Sequence, residues 1–114
     1  MPAGAGSTDA EALDVLLVRV AAGDRDALRA VYVRQSTRLF GIAMAILRDR
    51  TAAADVMQDA FLRVWRRAGQ FDAARGDASV WLSSIVRYAA LDVARRRGRE
   101  IPSDDPALGD APVA

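Results

Sequence analysis

Carboxylate and amide side chains recur at helical spacing in the segment that begins at Asp55. Asp55, Gln58 and Asp59 fall on one side of a helix, together with the apolar Leu62. This face suits a partner helix that carries Arg, with Leu62 as the desolvated centre and the carboxylates setting register and association rate. An alternative is that acids early in the helix and Arg late in it only complement the helix dipole. The pattern alone favours this alternative.

A second face with chemical potential lies further along the chain, where aromatic side chains precede a run of Arg. One helical arc contains Trp81, Ser84, Tyr88, Asp92, Arg95 and Arg99. Unpaired bases stack on aromatic rings, at about 1 to 3 kcal/mol per base, while guanidinium groups hold phosphates. The alternative is that both aromatics pack partly in the core and the Arg run complements the end of the helix. Burial is favoured for Trp81, and the two interpretations are evenly balanced for Tyr88.

The loop GQFDAARGDAS joins these two segments. Its glycines allow a backbone to approach a ligand closely. Phe71, Arg75 and Asp77 are candidates for a pocket that reads an extruded base by its edge. The alternative is a plain loop with Phe71 tucked into the core, which leaves Arg75 and Asp77 as the residues at issue.

Enzymatic chemistry has little support in the composition. The chain has no cysteine and no histidine, which removes disulfides, thiolate nucleophiles, Cys/His metal sites and the commonest general base. Asp55 and Asp59 would form a carboxylate pair without a pocket or a base beside them. We therefore expect no catalytic residues, no metal site and no cofactor.

The length of the chain and the distribution of its charges limit the possible architectures. A chain of 114 residues accommodates one domain. No apolar run approaches the roughly 18 to 20 residues of a membrane span, and the start lacks a signal peptide, so we expect a soluble, cytoplasmic protein without membrane insertion. Residues 61–99 contain nine Arg and three acids, whereas residues 100–114 contain four acids and no Arg. A polyanion is therefore expected to bind the basic third of the chain.

Apolar periodicity predicts four helices and no strand. Thr8 and Glu11 form a capping box before the first helix, which stops at Gly23. Asp24 is expected to cap a second helix of more than twenty residues. Thr51 and Ser79 are expected to cap the third and fourth. The fold class is therefore all-α, a compact four-helix bundle with the long second helix as its spine.

Two long segments resemble a known family. They are LLVRVAAGDRDALRAVYVRQSTRLF and LRDRTAAADVMQDAFLRVWRRAGQFDAARGDASVWLSSIVRYAALDVARRR, which together run over about residues 13–97. Both are similar to conserved region 2 of bacterial sigma factors of the extracytoplasmic-function (ECF) group. The similarity is specific because four motifs recur in order: R-x-x-x-G-D, D-x-x-Q-[DE]-x-F-L-x-V-W, F-D-x-x-R-G and W-L-x-x-I-x-R.

The resemblance implies a domain that docks on core RNA polymerase and recognises the promoter minus-ten element while the duplex opens. In this family the D-x-x-Q-[DE] face binds the clamp helices of the polymerase β′ subunit. The implied polymerase-binding residues are Asp55, Gln58, Asp59 and Leu62, with Phe61 and Trp65 supporting them from the core.

The family's loop captures a flipped base of the non-template strand, and its next helix contacts promoter DNA. The implied DNA-binding residues are Phe71, Arg75, Asp77, Trp81, Ser84, Arg87, Tyr88, Arg95, Arg96 and Arg99. Tyr88 departs from the family, which usually has Asn at this position. An amide makes bidentate base contacts that a phenol cannot, so the family's base preference does not carry over to Tyr88.

The resemblance also implies a domain organisation and a further partner. We expect a disordered tail over 1–8, the sigma region 2 domain over 9–99, and a Pro- and Asp-rich start of an interdomain linker over 100–114, with region 4 absent. An isolated domain and a natural single-domain form both fit, and the first is favoured. An anti-sigma factor is an expected partner. The alternative function is a helical protein-interaction module without specific DNA binding.

Overall fold

The structure is a computed structural model that describes residues 11–100, except the side chains of Arg99 and Glu100. It contains four helices: α1 (Leu13–Ala21), α2 (Arg25–Leu47), α3 (Arg50–Arg67) and α4 (Ala78–Glu100). A 3-10 turn, Ala68–Gln70, follows α3 directly. No strand occurs in this part of the chain, so the all-α, four-helix prediction is confirmed. The predicted tail over 1–8 and most of the predicted linker over 100–114 lie outside the described residues.

The long second helix has the central position that the sequence predicts. α2 has 23 residues, a length of about 35 Å at 1.5 Å per residue, and it packs against each of the other three helices. α4 is equally long. Every helix contributes large side chains with less than 2 % exposure, namely Leu16, Leu17, Val20, Val31, Leu39, Val56, Val64, Leu82 and Val86. Burial of each such side chain stabilises the fold by about 1.5 to 3 kcal/mol.

The R-x-x-x-G-D motif forms the corner between α1 and α2. Gly23 has φ +92°, a conformation that costs glycine little and other residues much more. Asp24 then caps α2 as predicted, because its Oδ1 accepts from the backbone N–H of Asp26 at 3.0 Å and of Ala27 at 3.1 Å. Arg19 donates to Asp24 Oδ2 from Nε at 3.0 Å and from Nη2 at 2.7 Å. These Arg19 bonds lower the pKa of the Asp24 carboxyl.

The predicted capping box pairs Glu11 with Thr8, and Thr8 lies outside the described residues. α1 begins at Leu13 with Ala12 at its N-cap, and no side chain caps it. Glu11 instead pairs with Arg19, and its backbone carbonyl accepts from Arg34 Nη1 at 2.6 Å. Glu11 is therefore held by two Arg side chains and lies before the first turn of α1.

The predicted caps at Thr51 and Ser79 are each two residues too late. Asp49 caps α3, because its Oδ1 accepts from the N–H of Ala52 at 3.1 Å. Asp77 precedes α4, and its Oδ1 accepts from both the N–H and the hydroxyl of Ser79 at 2.7 Å. In both corners a carboxylate lies two positions before the hydroxyl residue, and an ionised acceptor makes the stronger bond.

Arg38 ties the middle of α2 to the first turns of α4. Its Nη1 donates to Ser83 Oγ at 2.6 Å and its Nη2 to the carbonyl of Ser79 at 3.1 Å. Gln35 Oε1 accepts from the same guanidinium at 2.8 and 3.0 Å. The end of the loop that leads into α4 is therefore anchored to the central helix α2.

Arg48 offers a test of the backbone geometry between α2 and α3. It caps the C-terminus of α2 in the left-handed conformation, with φ 54° and its N–H bonded to the carbonyl of Met44. Because a side chain is disfavoured there, we expect Arg48→Gly to raise the free energy of unfolding by about 0.5 to 1 kcal/mol. Urea titration followed by circular dichroism measures this. Arg29→Gly, at an exposed position inside α2, should lower the free energy of unfolding by about 1 kcal/mol. A lower free energy of unfolding in both variants would show that a side chain at position 48 is not disfavoured.

The helix-capping carboxylates predict an acid-sensitive fold. The Arg19 bonds lower the pKa of Asp24, the Ala52 N–H lowers that of Asp49, and the Ser79 hydroxyl lowers that of Asp77. The folded protein therefore binds fewer protons than the unfolded chain near the ordinary Asp pKa of about 3.9. Their stabilising contribution is complete above about pH 5 and is lost as the pH falls through the folded pKa values.

Urea midpoints measured between about pH 3 and pH 7 test this prediction. We expect the midpoint to fall steeply below about pH 4 and to stay level above about pH 5. Asp24→Asn keeps an oxygen acceptor for the cap but cannot titrate, so its midpoint should vary less with pH. If the midpoint of Asp24→Asn varied with pH as steeply as that of the wild type, Asp24 would not contribute to the acid sensitivity.

Candidate protein-binding and nucleic-acid-binding surfaces

The acidic surface consists of Asp55, Gln58, Asp59 and Leu62 on α3. All four side chains are exposed, and Leu62 is 52 % exposed although it is apolar. The opposite side of α3 is buried, with Phe61 only 8 % exposed. The predicted division of this helix into an apolar and a polar face is therefore confirmed, because the buried stripe fixes the rotation of α3.

Two apolar grooves lie beside the acidic surface. The larger, about 600 Å³, runs between α2 and α3 and is lined by Tyr32, Phe40, Met57 and Phe61 among others. The smaller, about 510 Å³, is lined by Leu28, Phe61, Leu62 and Trp65 together with Arg25. Gln58 lines both grooves. A partner on the acidic surface therefore has apolar contacts available on either side.

The contribution of α2 to this region was not expected from the sequence. Tyr32 occupies a position of the apolar repeat, yet it is 46 % exposed. Its ring meets the ring of Phe61 edge to face, with centroids 5.0 Å apart. A tyrosine in a core repeat is a weak signal for this placement, because its hydroxyl favours the boundary between core and solvent.

The loop between α3 and α4 forms a small pocket. Phe71 and Trp81 pack at its base with ring centroids 5.6 Å apart, and both are half-buried. The pocket measures about 290 Å³, and Arg75, Asp77 and Ser84 also line it. The three loop candidates Phe71, Arg75 and Asp77 thus line one pocket, and base reading by that pocket stays a prediction. The favoured burial of Trp81 holds in part, since its ring remains accessible from the pocket.

Two of the predicted DNA-binding residues in this pocket have structural partners. Asp77 caps α4 through Ser79. The hydroxyl of Ser84 donates to the carbonyl of Trp81 at 2.7 Å. Arg75 is exposed at the rim, and its N–H closes a turn on the carbonyl of Asp72 at 2.9 Å. Arg75 is the one Arg among the residues that line the pocket.

The exposed side of α4 continues from this pocket. Tyr88 is 63 % exposed, which contradicts its interpretation as a partly buried packing residue; base stacking on Tyr88 stays a prediction. Arg87 is exposed too, but adjacent residues of a helix point about 100° apart, so Arg87 lies off the aromatic arc. Arg96 is exposed and Arg95 pairs with Asp92. The side chain of Arg99 lies outside the described residues.

An ion-pair chain connects α3 with α4. Arg63 Nη2 lies 3.0 Å from Asp59 Oδ2 and 3.5 Å from Asp92 Oδ2. Asp92 Oδ1 accepts from Arg95. The bond from Arg95, and then the charges of Arg95 and Arg63, lower the pKa of the Asp92 carboxyl. The Asp59 and Arg63 pair was readable from its i, i+4 spacing, but the link to Asp92 requires the packing of two helices.

Neither a membrane span nor a metal cluster is found in the described part of the chain. Among residues 11–100, no helix combines the length and the apolar character needed to cross a bilayer. The same residues contain no group of three or more Asp or Glu side chains arranged to hold a metal ion.

The geometry defines the class of the protein as a small all-α domain with an acidic surface on α3 and an aromatic and basic surface on α4. The chain matches Sigma-70 region 2 over residues 31–100. It is 39 % identical over 83 residues to the ECF RNA polymerase sigma factor SigK of Mycobacterium tuberculosis (strain ATCC 25618 / H37Rv), covering 73 % of this chain and 44 % of that protein. SigK of Mycobacterium sp. (strain KMS) is 40 % identical, with 73 % and 43 % covered.

The chain therefore belongs to the sigma-70 region 2 family, and within it to the ECF group. It spans less than half the length of the curated relatives it matches. The resemblance stated from the sequence motifs is thus confirmed at the level of the family and its subgroup.

Substitutions at two neighbouring residues of α3 should distinguish a residue that stabilises the fold from one that belongs to a binding surface. Phe61→Ala removes a ring that is 8 % exposed, so we expect the free energy of unfolding to fall by about 3 to 5 kcal/mol. Leu62→Ala removes a side chain that is 52 % exposed, and its effect should stay within about 0.5 kcal/mol. Urea titration of both variants measures the difference. A large loss in Leu62→Ala would mean that Leu62 supports the fold and not a binding surface.

Proposed function

We propose that this domain binds core RNA polymerase and recognises and helps to melt the promoter minus-ten element in transcription initiation. The observation that carries the proposal is the exposure, on two adjacent helices of a sigma-70 region 2 domain, of an acidic surface and of an aromatic and basic surface. A module that binds proteins alone does not require the second of these surfaces.

The acidic surface is proposed to dock on the clamp helices of the polymerase β′ subunit. Carboxylates on either side of an exposed Leu62 match a helix that presents Arg around an apolar contact. The adjoining grooves offer Phe61 and Trp65 as apolar walls, so the centre of the contact would be desolvated and its rim charged.

The loop pocket and the exposed side of α4 are proposed to hold the non-template strand. A pocket of about 290 Å³ with Phe71 and Trp81 at its base accepts one extruded base, and Arg75 at its rim supplies donors to the edge of that base. Tyr88 is exposed for stacking. Arg87, Arg95 and Arg96 supply phosphate contacts, so binding should weaken steeply with salt.

Melting by this arrangement needs no bond chemistry. Stacking of each captured base contributes about 1 to 3 kcal/mol, which offsets the few kcal/mol needed to unstack it. Polymerase confines the bubble and thereby lowers the entropy cost of holding it open. The proposed role is that of a specificity subunit and not of an enzyme.

The remaining parts of the proposal concern location and regulation. The protein is proposed to act in the cytoplasm, because its proposed partners, polymerase and promoter DNA, are found there. An anti-sigma factor that covers the acidic surface would block docking on polymerase. The Pro- and Asp-rich residues 100–114 are proposed as the start of an interdomain linker, because this composition is typical of linkers.

Base recognition is tested with single-stranded DNA. A pool of oligonucleotides with a randomised centre is selected by the domain bound to core RNA polymerase, and the enriched sequence is compared with its scrambled version at matched salt. We expect the enriched strand to bind more tightly in a gel shift. Equal and weak binding of both strands would contradict base recognition and would support the protein-interaction module instead.

Separate variants test the two surfaces. Asp55→Arg and Gln58→Ala should weaken capture by a β′ clamp-helix fragment. Asp26→Arg, a charge reversal at an exposed site outside the acidic surface, should weaken it much less.

Arg75→Ala and Tyr88→Ala should weaken oligonucleotide binding about fivefold or more, whereas Tyr88→Phe keeps a stacking ring and should retain it. Gln58→Ala should leave oligonucleotide binding intact. Equal damage to both activities by every variant, with folding preserved, would show that the surfaces are not separate.

A further inference from the structure

We propose that Arg38, on α2, is a positioning residue for base capture: it fixes the first turn of α4 and thereby sets how tightly the loop pocket holds an extruded base, without contacting the DNA itself. This inference rests on the proposed function, since it assigns the loop pocket to an extruded base. It adds a residue of α2, a helix to which the proposed function gives no part in DNA binding.

Arg38 and Ser83 form a closed ring of hydrogen bonds with one backbone carbonyl. Arg38 Nη1 donates to Ser83 Oγ at 2.6 Å, and Ser83 Oγ donates to the carbonyl of Ser79 at 2.9 Å. The same carbonyl accepts from Arg38 Nη2 at 3.1 Å. Ser79 and Ser83 lie one turn apart on a helix, so the ring fixes the first turn of α4 relative to α2.

Gln35 holds the same guanidinium from within α2. Its Oε1 accepts from Arg38 Nε at 3.0 Å and from Arg38 Nη2 at 2.8 Å. Both residues belong to α2, so this helix presents Arg38 in a defined orientation before α4 packs against it. Less side-chain entropy is then lost when the ring forms, which strengthens its hold on α4.

Ser79 connects the ring to the loop pocket. Its N–H and its hydroxyl both donate to Asp77 Oδ1 at 2.7 Å. The carbonyl of Asp77 accepts from the N–H of Trp81 at 3.0 Å. Asp77 and Trp81 both line the pocket. A shift of the first turn of α4 away from α2 would therefore move a polar edge and an aromatic wall of the pocket together.

A direct contact between Arg38 and a phosphate is the alternative, because Arg38 is exposed. The four bonds to Gln35, Ser79 and Ser83 use four of the five N–H groups of the guanidinium. A bidentate phosphate contact would therefore have to displace an acceptor of the protein. The observed bonds favour positioning.

The test uses the strand enriched with core RNA polymerase and versions of it in which one base is replaced by an abasic site. Each strand is titrated against the domain bound to polymerase. The ratio of the two Kd values, abasic to intact, measures base capture, because the phosphates are unchanged. At the position where the wild type has its largest ratio, Arg38→Gln and Ser83→Ala should each lower the ratio about threefold to tenfold. The double variant should lose little more than Arg38→Gln, because the ring is then already broken.

Salt dependence distinguishes positioning from phosphate contact. Loss of one phosphate contact to a single strand reduces the slope of log Kd against log salt by about 0.7. Arg38→Gln should keep the slope, whereas Arg96→Gln, at a proposed phosphate contact, should reduce the slope and keep the ratio. Arg29→Gln removes an exposed charge from the same helix and should change neither. A reduced slope with an unchanged ratio in Arg38→Gln would overturn the proposal, and so would an unchanged ratio in Ser83→Ala.

Hydrogen exchange of the free protein gives a readout without DNA. The N–H of Trp81 bonds to the carbonyl of Asp77 at 3.0 Å, and the N–H of Arg75 closes a turn in the loop at 2.9 Å. Both amides should exchange faster in Arg38→Gln, while the amides of α3 keep their rates, since a general loss of stability would accelerate all of them. Equal acceleration in α3, or none in the loop, would overturn the proposal.

Failure of the proposed function would look different. If the wild type bound the intact strand and every abasic strand equally, base capture by the loop pocket would be contradicted. The exchange rates of the loop amides would still decide whether Arg38 orders the pocket.

Discussion

The rotation of α3 is the constraint on which the rest of the structure depends. Phe61 and Val64 must be buried against the neighbouring helices, and a helix that buries one stripe has no freedom to choose what it exposes on the opposite side. The carboxylates of Asp55 and Asp59 are therefore presented outward by the packing of apolar groups on the opposite side of the helix. A core substitution that rotated α3 by one residue would move these carboxylates about 100° around the axis.

Carboxylates at the corners fix where α2, α3 and α4 start, and this determines which residues the loop presents. Asp77 sets the first turn of α4 through Ser79, so Trp81 reaches back to Phe71 one turn later. Arg38 clamps the same turn from α2. The loop pocket thus depends on a cap at one end and an interhelical clamp at the other, both made by polar groups at the surface.

Apolar periodicity predicted the features that depend on a single helix, such as its length and its buried face. It did not predict contacts between two helices, or which of two neighbouring acceptors caps a helix. The faces of α3 and the length of α2 follow from apolar spacing alone. The caps at Thr51 and Ser79 were placed wrongly because a nearby Asp competes for the same N–H groups, and sequence pattern does not rank the two. The partial exposure of Tyr32 and the contact from Arg63 to Asp92 depend on packing, which spacing within one segment does not contain.

No charged side chain is buried among residues 11–98, whose side chains the structure describes. Core stability is supplied by apolar groups, whereas both surfaces are made of exposed side chains whose replacement costs the fold little. Tyr88 can therefore differ from the residue usual in the family without a cost in packing. Weak, exposed ion pairs also respond to salt and to competing charges, so the same exposure that lets these surfaces vary makes their ion pairs sensitive to the ionic strength.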